Sequence, residues 1–338
     1  MQSCTTKRGQ PVDNREPLYE HLNSIVLPKA GIEVKCPNFE ASRLRANQDV
    51  YLFEELKSRN RFVGKYFVFR YQLSEEERKN SLNHEFSNLC LTREKGFSDY
   101  PNRIVRPLSK SEQIDCLLVE DFVRGHDLDY YISKAAFDGQ HERLLRKLTL
   151  LGHFLSFLHR QTAADHSVHF KESSTYFRLT IEAMIHQEVI DGTMAAAFEQ
   201  LITEWEGMGE MTQDEAVLVH GDATPTNFFF HPEDGITAID LERMRLADRV
   251  FDIGFLAAEL KHHFALRICH AEVAERFIDH FLHAYCEGFS DPNAVFGKIS
   301  GRNPFYMALG EIRIARNSWL PQKHRVWLIE EALRCLKR

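Results

Sequence analysis

The spacing of apolar residues changes once along this chain, near Gly125, and that change limits the folds open to it. Before it, Val50–Leu56 and Phe62–Tyr71 are rich in β-branched and aromatic residues, with the turn signal Ser58-Arg59-Asn60 between them. That pattern predicts an antiparallel hairpin, preceded by another strand and turn around Arg45–Asp49. Ile104–Leu108 and Cys116–Phe122 read as two further strands. Between the two pairs, residues 75–96 carry Leu82, Phe86 and Leu89 at helical spacing and stop at Gly96. Ahead of all this, residues 1–15 form a polar arm, and a short helix carrying Leu18, Leu22 and Ile25 is expected to break at Pro28 and Gly31.

After Gly125 the period becomes helical. Leu144, Leu148, Leu151, Leu155 and Leu158 recur every three or four residues, which predicts a buried amphipathic helix. Residues 180–208, most of 254–288 and 323–337 also read as helical. Two short apolar runs interrupt them, Ala216–Val219 and Ile236–Leu241, the second after a Pro-Glu-Asp-Gly turn. A mostly β first third and a mostly helical remainder predict an α+β protein of two lobes. The boundary falls near Glu120–Gly125: residues 1–122 form the first lobe, with 1–40 as an extension, and residues 123–338 the second.

Composition narrows the function classes. The 338 residues suffice for one large core or two adjoining lobes. No stretch reaches the roughly 18 consecutive apolar residues of a membrane span, and the polar start has no apolar core of a secretory signal. Seven cysteines, scattered and without CxxC spacing, fit reduced thiols in the cytoplasm. The net charge of −7 argues against a nucleic-acid backbone as the main partner. From Leu179 to Glu242 there is no Lys or Arg, while fourteen acids give the stretch −14 and leave +7 to the rest. Such polarity predicts a negative field over one region, attractive to metal ions and cationic ligands.

One string carries chemistry: His220-Gly221-Asp222-Ala223-Thr224-Pro225-Thr226-Asn227, then Ile239-Asp240-Leu241-Glu242. Phosphoryl transfer asks a protein mainly for alignment and charge compensation. One carboxylate must orient the accepting hydroxyl and take its proton, and oxygen ligands must hold Mg²⁺ against the phosphates. Asp222 suits the first task; Asn227, on the same loop, and Asp240, on or beside the next strand, suit the second. Glu242 follows Asp240 by two, so on a strand both could face one site.

HGDxxxxN followed by IDxE resembles the aminoglycoside phosphotransferase and choline kinase family, distant relatives of protein kinases. Ala247-Asp248-Arg249-Val250-Phe251-Asp252-Ile253-Gly254 resembles its downstream Asp-rich motif, so the likeness covers residues 219–254. It implies a bilobal protein-kinase-like fold that moves the γ-phosphate of ATP, or GTP, to a small-molecule hydroxyl with Mg²⁺ in the cleft. It also implies a strand lysine for the phosphates, here Lys65, and a helix glutamate to pair with it, here Glu85, with Glu94 the weaker choice. The strand ending at Glu120–Phe122 corresponds to the interlobe hinge whose backbone binds the purine. Arg45–Tyr51 corresponds to the hairpin over the phosphates; it lacks glycine, so Asn47 and Asp49 must make its turn.

The same likeness gives Asp248 and Asp252 a bracing role and His220 a structural hydrogen bond rather than a base's part. His262, His263, Cys269 and His270 match no usual zinc spacing and read as surface or packing residues. Phe228-Phe229-Phe230 reads as a buried strand. The base-free stretch 179–219 holds nine of the fourteen acids, where the family places its substrate wall. That favours an amine-bearing acceptor, an amino sugar, aminoglycoside or amino alcohol, against a merely solvated acidic face. Neither a nucleic acid nor a membrane is expected as partner. Two rivals stand beside the small-molecule kinase: a nucleotide-binding pseudokinase acting as a regulatory module, and a protein kinase, which Gly221 in place of arginine and the lack of DFG disfavour.

Overall fold

The computed structural model describes residues 9–44, 49–67 and 73–337. The chain forms two compact units, one of residues 1–124 with 237–242 and the other of residues 125–236 with 243–338.

In the first unit, strands β1 (Gln10–Pro11), β2 (Phe39–Arg43), β3 (Val50–Glu55), β4 (Arg61–Tyr66), β6 (Pro107–Ser111) and β7 (Leu117–Asp121) make one sheet in the order β1-β2-β3-β4-β7-β6. Every pairing in it is antiparallel. Alternation decides the two faces. Phe39, Phe53, Phe62, Leu117 and Val119 point to one and form a core with Leu22, Val26 and Leu27. Burying each such side chain contributes roughly 1.5–3 kcal/mol. Lys65 and Glu120 point to the other face.

Leu22, Val26 and Leu27 come from a helical run that corrects the expected break at Pro28. The run passes from α1 (Pro17–His21) through a π-turn, Leu22–Val26, into α2 (Leu27–Lys29). The N–H of Leu27 reaches back to Leu22 O. That wide turn sets Pro28 at the start of the next segment, where its missing N–H removes nothing. Helix α3 (Glu75–Thr92) starts at a capping box, in which Ser74 and Glu77 satisfy each other's backbone N–H groups. It then widens into a π-turn over Arg93–Phe97. The strand expected over Ile104–Leu108 is two, β5 (Asn102–Ile104) and β6, and the strand expected from Phe62 is described only as far as Tyr66.

The second unit is mainly helical: α4 (Leu128–Asp138), α5 (His141–Gln161), α6 (Phe170–His186), α7 (Gly192–Glu206), α8 (Val250–Ile268), α9 (Glu275–Cys286), α10 (Pro292–Ala315) and α11 (Gln322–Lys337). The leucine stripe of α5 is fully buried. The single helix read over 180–208 is two, because Asp191 caps a fresh start, accepting from Met194 N at 2.8 Å. Helix α10 escaped the sequence reading altogether. Its short strands are β8 (His126–Asp127), paired with β10 (Phe228–Phe230), and β9 (Val217–Val219), paired with β12 (Arg245–Ala247). Strand β11 (Ile236–Ala238) leads the chain into residues 237–242 of the first unit. There Ala238 O accepts from Val105 N at 3.0 Å.

Among the described residues, no helix is long and apolar enough to cross a membrane.

Candidate active site

In the first unit the site grows around Lys65, held in β4 between Val50 of β3 and Leu118 of β7. Its Nζ lies 2.5 Å from Glu85 Oε1, 3.5 Å from Asp240 Oδ1 and 3.7 Å from Glu120 Oε2. Glu85, on α3, and Glu120 are buried. Asp240 sits beyond β11 with φ +66°, a conformation Asp tolerates better than most residues. The segment is tied to α3 by Asn88 Nδ2, which donates to Leu241 O at 2.9 Å. Carboxylate oxygens of Glu85, Asp240 and Glu242 lie within 4.8 Å of one another. Asp240 and Glu242 thus share a site although neither lies in a strand; the turn after β11, not strand alternation, brings them together.

One ammonium cannot neutralise so many acids. Burial pushes the Glu85 carboxyl up to about 8 despite the pull of Lys65, with Asp240 and Glu120 adding to the rise. Burial likewise raises Glu120. Burial works against the charge of Lys65 too, yet Asp240, Glu120 and Glu85 together hold its pKa well above the usual value. The cluster therefore holds protons tightly and favours an incoming cation, which can take their place.

Glu120, in the stretch expected to offer backbone to a purine, sits within the sheet, opposite Val63 on one side and Pro107 on the other, and presents its side chain to Lys65. Phe122 lies just past the strand, under the guanidinium of Arg61 at 5.6 Å. Asn47 lies outside the described residues.

In the second unit β9 leads into the loop at His220. Asp252, at the start of α8 and fully buried, accepts from His220 N at 2.6 Å through Oδ2 and from Gly221 N at 3.0 Å through Oδ1. His159 of α5 backs this carboxylate at 3.2 Å, its other ring nitrogen 2.9 Å from the Tyr285 hydroxyl. Burial alone would raise Asp252, but the bonds from His159 and the Gly221 N–H outweigh it and hold its pKa low. His220 Nδ1 accepts from Asp222 N at 3.3 Å. Asn227 Nδ2 donates to Asp222 O at 2.9 Å, closing the loop from below.

The Asp222 carboxylate accepts from Arg313 of α10, whose guanidinium lies over the Phe255 ring at 5.1 Å. Burial opposes the charge on Arg313, while Asp222, Tyr176 and Glu259 beside it raise its pKa. Asp248 accepts from Val250 N at 2.9 Å and pairs with Arg302, also of α10, at 2.9 Å. Arg302 and Arg249 both reach Asp214, at 2.6 and 3.0 Å.

Arg302 and Arg313 are the site's neighbours that sequence reading missed. A signal existed: Asp291 caps α10, accepting from Ala294 N at 3.0 Å, and Pro292 occupies its first turn. Gly297, Gly301 and Pro304 within the helix hid it.

The negative field expected over 179–242 is partly cancelled by bases from outside that stretch. Arg178 pairs with Glu199 at 2.8 Å and Glu206 at 2.5 Å, and Lys171 also reaches Glu206. Hydrogen bonds from Arg178 lead the causes that bring the Glu206 carboxyl down to about 2. Further along, Glu259, His262 and His263 of α8 bring possible ligand atoms within 4.8 Å of one another. There His262 Nδ1 meets His324 Nε2 at 2.7 Å.

The model of the phosphotransferase enzyme family matches residues 45–295. The chain belongs to this family. It is a small-molecule kinase. Among solved structures this phosphotransferase is similar to APH(2")-IIa in its ternary complex with streptomycin and ATP, at 14% identity and TM-score 0.56, covering 96% of this chain and 97% of that one. It is similar to an ethanolamine kinase of Plasmodium vivax, at 14% identity and TM-score 0.58, covering 89% and 82%. The choline kinase LicA of Streptococcus pneumoniae is a third, at 14% identity and TM-score 0.56, covering 94% and 99%. These likenesses establish the kinase-like α+β fold. Among curated proteins none matches the sequence.

Proposed function

We propose that this phosphotransferase moves the γ-phosphoryl group of ATP, or GTP, to a hydroxyl of a small polar molecule, with Asp222 as general base. The observation that carries the reading is the surplus of carboxylates around one ammonium, Lys65 among Glu85, Glu120 and Asp240. Such a cluster suits a nucleotide phosphate that arrives with a hard divalent cation. Lys65, aimed by Glu85, meets the phosphates as a point charge. Asp240 would hold Mg²⁺, with Glu242 beside it; the sequence motif adds Asn227, whose NH₂ is engaged by Asp222 O and whose amide oxygen would be the ligand atom. When bound, the ion neutralises charge on the phosphate oxygens.

Asp222 accepts the proton of the attacking hydroxyl. The acceptor oxygen bonds to the γ-phosphorus, the bond from that phosphorus to the bridging oxygen breaks, and ADP or GDP leaves. Arg313 is a positioning residue that aims the Asp222 carboxylate, while Asp252 and Asn227 brace the loop beneath it. Asp248, through Arg302, ties α10 to the start of α8.

We take the acceptor to be an amino sugar, aminoglycoside or amino alcohol. Support comes from the compounds named with similar structures, streptomycin, ethanolamine and choline. The charge of the base-free stretch adds support, reduced where Glu199, Glu206 and Asp214 are already paired. Scattered free cysteines suit a reducing cytoplasm.

An ADP-release screen over amino sugars, amino alcohols, nucleosides and neutral sugars tests this, with Asp222→Asn run in parallel. The expected result is release stimulated by at least one amine-bearing acceptor, falling about 10²–10⁴-fold in the variant. Equal rates in the two proteins would remove Asp222 from the chemistry, and stimulation by neutral sugars alone would reject the amine preference.

A further inference from the structure

The sheet of the first unit carries a concave site on the face away from Lys65. Strand alternation puts Tyr66, the next residue, on that opposite face. A cavity of about 440 Å³ opens there, lined by Tyr51, Phe53, Tyr66, Leu18, Glu16 and Asp115 among others. Its size falls within the range of small-molecule sites, roughly 300–1,000 Å³.

The walls have a definite chemistry. The Tyr51 and Tyr66 rings stand at 89°, with centroids 5.4 Å apart, so they form a corner rather than a stack. Phe53 makes the floor: it is buried and lies across Gly64, where any Cβ would overlap its ring. Glu16 and Asp115 are exposed at the rim, and no lysine or arginine is among the described lining residues. Burial first, then Asp115, Tyr51 and Glu16, raise the pKa of the Tyr66 phenol, so the rim's negative charge is felt at the aromatic corner. Arg43, the cross-strand neighbour of Tyr51, is turned to Asp49 at 2.9 Å. An aromatic corner with a carboxylate rim attracts a positively charged organic group through ring quadrupoles and Coulomb attraction together.

We infer that this cavity is a binding site for a small organic ammonium ion, separate from the phosphate-binding face of the same sheet. It has no part in the reaction proposed above and does not depend on that reading.

Titration of the full chain with tetramethylammonium, by NMR or calorimetry, tests it, with tert-butanol as a neutral probe of similar size. So small a probe should bind with a Kd of about 1–10 mM, and at least about tenfold tighter than tert-butanol. Glu16→Gln with Asp115→Asn should weaken the cation at least about fivefold. Both positions are exposed, so the fold persists, which an unchanged Tm checks. Tyr51→Leu should weaken it as well, and Asp222→Asn should not. Equal binding of both probes, no saturable binding, or indifference to the rim variants would overturn the site. So would loss of binding in Asp222→Asn, which would move the cation to the second unit.

Discussion

At Gly221 the backbone takes φ +76°, and a Cβ there would overlap the carbonyl oxygen of Arg243. The loop carrying Asp222 therefore depends on this one position for its path. Gly221→Ala should cost about 1–3 kcal/mol and displace Asp222, read as a lower urea midpoint together with a fall in kcat. Arg313 acts on the same carboxylate from the side. Arg313→Met leaves Asp222 without its guanidinium partner, and a misplacement of about 1 Å costs on the order of 10²-fold in rate. The expected outcome is a fall in kcat with little change in the acceptor's KM, partly restored by Arg313→Lys, which keeps the charge but not the fork. An unchanged kcat in Arg313→Met would leave Asp222 as base and remove only Arg313. HGD and the spacing to Asn227 were legible in the sequence because they are local. The partner of Asp222 was not, since Arg313 stands ninety-one residues away on a helix hidden by glycines and a proline.

Helices α8 and α10 meet through charge as well as packing. Arg302 is 2% exposed and lies between Asp248 and Asp214. Removing one partner of a buried pair leaves the others uncompensated, at a cost of about 3–5 kcal/mol. Arg302→Met should lower unfolding free energy by that order in denaturant titration, and a change below about 1 kcal/mol would mean water already serves those carboxylates. At this scale sequence reading did best where one element explains itself. The leucine stripe of α5 and the alternation of the Val50–Glu55 strand are such cases. It failed at Pro28, because a π-turn absorbs a proline that an α-helix would reject. It failed at residues 180–208, because Asp191 and Gly192 restart a helix without interrupting the apolar pattern.

Across the molecule, buried titratable groups in the second unit set opposing pH dependences. Burial first, then Arg267 and His324, lower the His263 imidazole to about 3. A base whose folded pKa is depressed contributes stability that is full above about 6.5 and is lost as pH falls. Burial lifts the Glu259 carboxyl to about 7, against the pull of Arg313 and with the push of Asp222. Its contribution is full below about 4.5 and is lost as pH rises to about 7, by up to about 3 kcal/mol. His263→Asn should therefore gain Tm relative to the parent at pH 5 but not at pH 8, and Glu259→Gln should gain at pH 8 but not at pH 4.5. Scanning calorimetry at these pH values checks both signs. The sequence alone determined the α+β division, the Asp222–Asn227 loop and its family resemblance, because periodicity and short spacings are properties of neighbours along the chain. Tertiary structure decided that Lys65 meets Glu120 and Asp240 as well as Glu85, that Arg313 holds Asp222, and that bases outside residues 179–242 neutralise acids within. Those pairings join residues far apart in sequence, and only burial turns their charges into strong, specific partners.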